Sequence, residues 1–188
     1  MSTDRRRPVV IALDLEMNQP SNRIIQIGAV AGDLDTGRVR ARFSQLVAPG
    51  EPLADEIAAL TGIQAAALAD APALPEAFAR LVAWTEPMRA DRKPHLLTWG
   101  VWDHPVLREQ VGTHPSGWPF GHRWIDVKAV YQAWRHAHGH SGLGGLQHAV
   151  ERLGGAFEGR AHDAAVDAHN TFAAYVALLA RFRAARAA

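Results

Sequence analysis

The sequence predicts an α/β fold in which a mixed five-stranded sheet is flanked by helices. Three segments near the N-terminus are rich in aliphatic and β-branched residues and are joined by short links, which favours an antiparallel meander. Farther along the chain, helical patterns alternate with single short strands, as in α/β layer architectures. The chain has 188 residues, a length that suits one compact domain.

The strands are expected at residues 9–17, 23–31, 39–47, 95–100 and 123–127. The turn-forming sequence Asp-Leu-Asp-Thr-Gly at 33–37 separates the second strand from the third. Residues 1–8 are polar and are expected to form a flexible N-terminus, so the single folded domain is expected over residues 9–184.

Helices are expected at 53–60, 75–84, from about 104, around Tyr131 and Trp134, at 142–153 and at 163–186. Pro75 suits the first turn of its helix. Gly154 and Gly155 are typical of a helix end. Asp163 is a good N-cap for the last helix, whose alanine and arginine content favours helix strongly.

Composition excludes several classes of site. The chain has no cysteine, which rules out disulfides, thiolate metal sites and cysteine nucleophiles. No apolar run approaches the roughly 20 residues that span a bilayer, so a cytoplasmic protein without a membrane partner is expected. The net charge of +1 neither supports nor excludes a nucleic-acid substrate, because metal ions can supply positive charge locally.

Two acidic residues interrupt the first strand. Asp14 and Glu16 are two positions apart, so their side chains point to the same face. Paired carboxylates at the end of a buried strand repel each other unless a cation lies between them. Hard divalent ions such as Mg²⁺ or Mn²⁺ prefer this kind of oxygen site. A solvated strand end with two ordinary surface carboxylates would also fit this pattern.

A third acidic residue, Asp103, follows the predicted strand at 95–100 and precedes a predicted helix. Ligands of open α/β sheets gather at such strand-to-helix turns. Asp is also a common helix cap, and for this position taken alone the cap is the better explanation.

The last candidate residues surround the start of the C-terminal helix. If Asp163 is the N-cap, His162 lies just outside the helix and Asp167 lies about one turn inside it, so both can approach one point. Histidine is the usual side chain for moving protons near neutral pH. A capped surface helix is the alternative.

Taken in order, these motifs resemble the DEDDh 3′–5′ exonuclease superfamily, which has a ribonuclease H-like fold. The sequences that carry the resemblance are IIQIGAV at 24–30, LTGI at 60–63, WGVWD at 99–103 and GRAHDAAVDAHNT at 159–171. The WGVWD segment is similar to the exoribonuclease branch that contains the histone-mRNA 3′ exonuclease and bacterial relatives. The resemblance covers about residues 9–180.

The resemblance implies an active site with two Mg²⁺ or Mn²⁺ ions. Asp14, Glu16, Asp103 and Asp167 would bind the metals, and His162 would act as general base on the attacking water. In the same family, apolar side chains hold the terminal nucleotides, and Met17, Ile63 and Trp102 occupy the corresponding positions. Members include homodimers, which leaves that assembly open here.

The implied activity is removal of nucleotides from 3′ ends of single-stranded RNA or DNA, with nucleoside 5′-monophosphates as products. The WGVWD form favours RNA. A DNA-directed, proofreading-like exonuclease is the alternative within the family, and a non-catalytic nucleic-acid-binding module is the alternative outside it. None of the five expected active-site residues is missing, which favours the enzyme.

The histidines at 136, 138 and 140 suggest an alternative metal site, since alternating residues of an extended segment share a face. No cysteine accompanies them and glycines flank them, so we interpret this run as a solvated loop.

Overall fold

The computed structural model describes residues 9–89, 92–142 and 144–186. The strands are β1 (Val9–Met17), β2 (Ile24–Asp33), β3 (Val39–Leu46), β4 (His95–Thr98) and β5 (Trp124–Asp126). The helices are α1 (Asp55–Thr61), α2 (Ala65–Ala69), α3 (Leu74–Thr85), α4 (Asp103–Val111), α5 (Val127–Ala137), α6 (Leu146–Arg152) and α7 (Ala164–Ala185), with a 3₁₀ turn at Glu86–Met88. None of the described helices is long and apolar enough to cross a membrane.

The five strands form one mixed sheet in the order β3-β2-β1-β4-β5. The pairs β1–β2 and β2–β3 are antiparallel, whereas β1–β4 and β4–β5 are parallel. The predicted fold class is therefore confirmed, including the antiparallel arrangement of the first three strands. Because β1 lies in the middle of the sheet, its carboxyl end is surrounded by the ends of neighbouring elements.

Both faces of the sheet are buried. Ile11 and Leu13 of β1 pack on one side with α3 and α4, whereas Val10 and Ala12 pack on the other side with α5, α6 and α7. Side chains alternate between faces along a strand. The face that begins with Val10 and Ala12 therefore continues through positions 14 and 16, which places the two carboxylates on the side covered by α7.

Two glycines of β2 allow α7 to pack very closely on the sheet. A Cβ on Gly28 would lie 2.0 Å from the backbone carbon of Ala164, and a Cβ on Gly32 would lie 2.1 Å from the ring of Phe172. In addition, the Gln26 side chain accepts a hydrogen bond of 3.1 Å from the Ala164 N–H. Glycine in a strand often marks such a close approach, and here it sets the position of the first turn of α7.

The differences from the sequence prediction are local. The helix expected at 142–153 begins only at Leu146, since Gly142 has a φ of +93° and Gly145 is the N-cap. The strand expected at 95–100 ends at Thr98, before Gly100 with its φ of +104°. Helix α2 was not predicted. The expected flexible segment 1–8 lies outside the described residues.

Candidate active site

The carboxyl end of β1 carries the first two acidic residues. Asp14 is half-buried and lies opposite Gly28, and Glu16 is buried and lies opposite Gln26. A solvated strand end, the alternative for this pair, does not fit the burial of Glu16. A purely structural pair of carboxylates would be neutralised by lysine or arginine. Among the described residues, neither Asp14 nor Glu16 forms an ion pair with such a side chain.

Asp103 is the first residue of α4 and is buried. Its Oδ1 accepts a hydrogen bond of 3.2 Å from the backbone N–H of Leu15, which lies between the two carboxylates of β1. The N-cap of α4 is Trp102, with no side-chain cap hydrogen bond. The Asp103 carboxylate therefore does not cap its helix, and it points back toward the end of β1.

The start of α7 brings in the remaining two residues. Asp163 caps the helix, and its Oδ1 accepts from the N–H groups of Ala165 and Val166 at 2.9 and 3.3 Å. Asp167 lies one turn inside, and its Oδ2 accepts a hydrogen bond of 3.1 Å from the N–H of His162. His162 is exposed and has a φ of +64°, a left-handed conformation uncommon for residues other than glycine. This turn holds the histidine beside the carboxylates.

Three of the predicted residues offer ligand atoms at metal-binding separation. Atoms of Glu16, His162 and Asp167 lie within 4.8 Å of one another. The Oδ1 atom of Asp167 is buried and has no hydrogen-bond partner in the described part of the chain. Buried polar atoms are nearly always paired, so a carboxylate oxygen left over in an acidic cluster fits a cation ligand.

The electrostatics of the cluster agree with this geometry. Burial, and then the negative charges of Asp167 and Asp103, raise the pKa of Glu16 to about 8. Burial also raises the pKa of Asp103 to about 7, although the Leu15 N–H opposes the shift.

The other two carboxyl groups shift in the same direction. Burial, followed by the charges of Asp103 and Glu16, raises the pKa of Asp14 well above its usual range. Burial raises the pKa of Asp167 as well, against the opposing effect of the hydrogen bond from His162. Four carboxyl groups at this point destabilise one another's ionised forms, and bound divalent cations would relieve this repulsion.

Two of the three residues expected to hold the terminal nucleotides border one cleft. Met17 and Trp102, the chain neighbours of Glu16 and Asp103, line a cavity of about 930 Å³. Trp102 is 72% exposed. Ile63 is half-buried and follows the end of α1, where it packs near Ile57 and Leu68.

Two residues hold the loop before His162 in place and were not predicted from the sequence. Asn170 of α7 is buried and exchanges two hydrogen bonds with the backbone of Glu158, at 3.1 and 3.0 Å. Arg160 donates to the Leu60 carbonyl at 3.2 Å and occupies the space beside Gly62. A buried asparagine within an alanine-rich helix was the available signal for the first, whereas an exposed arginine gives none.

The rival histidine run does not form a metal site. His136 lies in the last turn of α5 and His138 is its C-cap, where its Nδ1 lies 2.7 Å from the Trp134 carbonyl oxygen. Within the described parts of the chain, the only group of His, Asp and Glu side chains at metal-binding separation is the one at the end of β1.

Comparisons with known proteins identify the family of this chain. The RNase T family model, described as an exonuclease, matches residues 11–175. The 3′-5′ exonuclease Snipper of Drosophila melanogaster is 31% identical over 165 residues, which cover 78% of this chain and 57% of that protein. The chain thus spans little more than half the length of this curated relative.

Solved structures show the same fold. The nuclease domain of 3′hExo, described as a DEDDh family member bound to rAMP, matches with a TM-score of 0.78 and 23% identity, over 95% of this chain and 94% of that chain. Cell-death related nuclease 4 matches with a TM-score of 0.80 and 17% identity, over 93% and 64%. A 3′-exonuclease described in recognition of the histone mRNA stem-loop matches with a TM-score of 0.78 and 22% identity, over 93% and 83%. The ribonuclease H-like fold expected from the sequence is confirmed.

Proposed function

Since the chain belongs to the RNase T exonuclease family, we propose that it is a 3′–5′ exonuclease of the DEDDh type, which removes nucleotides from the 3′ ends of single-stranded RNA and releases nucleoside 5′-monophosphates. The observation that carries this proposal is the meeting of four carboxyl groups and one histidine at the carboxyl end of β1. They come from three separate parts of the chain, and none of the ion pairs among the described residues includes any of them.

Asp14, Glu16, Asp103 and Asp167 would hold two divalent ions, Mg²⁺ or Mn²⁺. The donor set fits hard cations because it consists of carboxylate oxygens, and the unpartnered Oδ1 of Asp167 fits it as well. When bound, such a pair of ions stabilises the charge on both the attacking and the leaving oxygen of phosphodiester hydrolysis.

His162 is the proposed general base. Its backbone N–H is tied to Asp167, so the imidazole lies at the edge of the carboxylate cluster while its ring stays exposed to water. The ring takes the proton of the attacking water and must be neutral to do so. Activity is therefore expected to fall in acid.

Met17, Ile63 and Trp102 are the proposed contacts to the terminal nucleotides. Support comes from the shared cleft of Met17 and Trp102 and from the exposure of the Trp102 ring. Stacking on such side chains tolerates any base and contributes about 1–3 kcal/mol per base. This suits an enzyme that must remove each nucleotide in turn.

RNA is the proposed substrate because the WGVWD sequence at 99–103 resembles the exoribonuclease branch. Two of the similar structures are described with an RNA-type ligand, rAMP in one case and a histone mRNA stem-loop in the other. Discrimination from DNA would depend on contacts to the 2′-hydroxyl.

The test uses the purified protein with a 5′-labelled single-stranded RNA and the DNA of the same sequence, in Mg²⁺, in Mn²⁺ and in a chelator. We expect a metal-dependent ladder that shortens from the 3′ end, faster on RNA, and no ladder from the Asp14→Ala variant. Faster cleavage of DNA would favour the DNA-directed alternative. No cleavage of either strand under any metal would favour the binding-module alternative.

A single exonuclease domain over residues 9–184, a cytoplasmic location and a homodimer stay predictions. Each is open to a separate measurement, and none affects the chemistry proposed for the site.

A further inference from the structure

Exposed apolar side chains gather next to the candidate active site. Val101 is 53% exposed and Trp102 is 72% exposed, and they directly precede Asp103. Trp124, which is 39% exposed, begins β5 at the outer edge of the sheet. Single exposed apolar residues are ordinary, but a group of them beside a polar site marks a surface that binds something.

The ring of Trp124 is held firmly on its inner face. His104, in the first turn of α4, stacks on it with ring centroids 4.3 Å apart and an interplanar angle of 10°. Trp118 meets His104 edge-on at 5.5 Å and packs against the buried ring of Phe120 at 5.3 Å. This chain of rings anchors Trp124 to the core. A ligand that stacks on Trp124 would therefore lose little binding free energy to ordering of the tryptophan side chain.

The turn that presents Val101 and Trp102 is fixed to the same strand. The Gly100 N–H donates to the Asp126 side chain at 3.0 Å, and the Thr98 hydroxyl donates to the Gly100 carbonyl at 2.7 Å. Asp126 is the last residue of β5 and also caps α5. The turn after β4 and the strand β5 therefore form one surface, which we call the edge surface and define as Val101, Trp102, His104 and Trp124.

Cationic side chains flank the edge surface. Arg123 is exposed and precedes Trp124, and the Lys128 side chain lies 3.9 Å from the position of a Cβ on Gly100. The Arg108 guanidinium lies 5.0 Å from the centre of the Trp118 ring. Aromatic rings combined with positive charge are the usual means of binding single-stranded nucleic acid without sequence preference.

Resting on the proposed function, we propose that the edge surface binds the nucleotides on the 5′ side of the scissile bond. The terminal nucleotide must lie at the carboxylates, so the rest of the strand needs a path away from them. The edge surface begins at Val101, two residues before Asp103, and ends at β5, which has no neighbouring strand on its outer side among the described residues. Bases that leave the site along this path would stack on Trp124.

The test compares two substrates with the variant Trp124→Ala. One is a 5′-labelled single-stranded RNA of ten nucleotides, and the other is the p-nitrophenyl ester of uridine 5′-monophosphate, which has no upstream nucleotide. We expect KM for the decamer to rise about tenfold, the loss of roughly one stacked base, with kcat unchanged. Hydrolysis of the ester should not change, and Trp124→Phe should restore most of the loss.

Phe182→Ala is the matched control, because Phe182 is 45% exposed but lies near the end of α7. It should leave both substrates unaffected. An unchanged KM for the decamer, or an equal loss on both substrates, would overturn the proposal. A change in the sedimentation coefficient of Trp124→Ala would instead assign the edge surface to a second copy of the chain.

Failure of the proposed function has a different signature. In that case the wild-type protein cleaves neither substrate, and the edge surface is tested by binding alone. Fluorescence anisotropy with the labelled decamer should then show weaker binding by Trp124→Ala than by the wild-type protein, and equal binding would exclude the surface.

Discussion

The β1–β2 pair has a buried carboxylate near each of its ends, and the two behave in opposite ways. Burial alone would raise the pKa of Asp33, but hydrogen bonds from Arg40 and from the N–H groups of Thr36 and Asp35 lower it to about 2. Glu16, at the other end, is buried among further carboxyl groups, and its pKa rises to about 8. Both side chains are less than a tenth exposed, at 4% and 8%.

The difference distinguishes a structural carboxylate from one that is proposed to bind metal. Asp33 holds the turn before β3 through donors supplied by its own neighbourhood, so its charge is satisfied within the protein. The carboxylates at the carboxyl end of β1 accept few hydrogen bonds. Because their ionised forms are unfavourable in this position, they lower the stability of the fold. Such an unfavourable arrangement persists where function requires it.

The largest effect is expected from Glu16→Gln, which keeps the shape of the side chain and removes its charge. Loss of a residue that merely supports a metal ligand costs about 10–100-fold in activity, and loss of a ligand should cost more. A rate assay on labelled RNA with Mg²⁺ measures this. Asp33→Asn is the matched control and should keep nearly full activity, so an equal loss in both variants would contradict the comparison.

His162→Asn is expected to lower kcat by about 10²–10⁴-fold, the usual contribution of a general base. Asparagine tolerates the left-handed backbone of this position, so the melting temperature should hardly change. Added Mg²⁺ should still stabilise the variant against heat. If that stabilisation disappears, His162 is a metal ligand rather than the base.

Gly28→Ala tests the contact that positions α7. The new methyl group would lie 2.0 Å from the Ala164 backbone, so the first turn of α7 must move. We expect activity to fall by about 100-fold, since a displacement of about 1 Å at a catalytic site has that effect, with a stability cost of about 1–3 kcal/mol. In Gly121→Ala, whose nearest contact is 3.7 Å, both quantities should stay close to wild type.

The smallest effect is a pH-dependent change in stability without metal. The folded pKa of Glu16, about 8, is above the usual 4.5, so the native state binds more protons than the unfolded state between these values and its stability falls as pH rises. Asp33 has a folded pKa of about 2, so its contribution is present above about pH 4 and is lost as pH falls toward 2.

Thermal melts in a chelator should distinguish the contributions of Glu16 and Asp33, which lie at opposite ends of the β1–β2 pair. Glu16→Gln should melt higher than wild type at pH 8, by about 2 °C or more, and equally at pH 5. Asp33→Asn should melt lower at pH 7. Added Mg²⁺ should raise the melting temperature of the wild-type protein at pH 8, because a ligand that binds only the native state stabilises it. A Glu16→Gln variant less stable than wild type at pH 8 would show that the carboxylate is structural.

Local sequence patterns were enough to predict most of the fold. The aliphatic runs of β1 and β2, the N-cap Asp163 and the first-turn residue Pro75 depend on residues close together in the chain, and each was correctly placed. Boundaries failed where glycines with positive φ decided them, as at Gly142 and Gly100. A glycine does not reveal from sequence which of its allowed conformations it adopts.

The candidate site, like the fold, was predicted from the sequence only in part. The sequence by itself was enough to name the candidate residues, since a carboxylate such as Asp14 in an apolar strand is visible without a structure. Only the tertiary structure decided that Asp103 turns toward Leu15 instead of capping α4, and that Gln26 and Gly28 hold the start of α7. These contacts join residues 88 or more positions apart, and their distances depend on how the helices pack on the sheet, which no local pattern encodes.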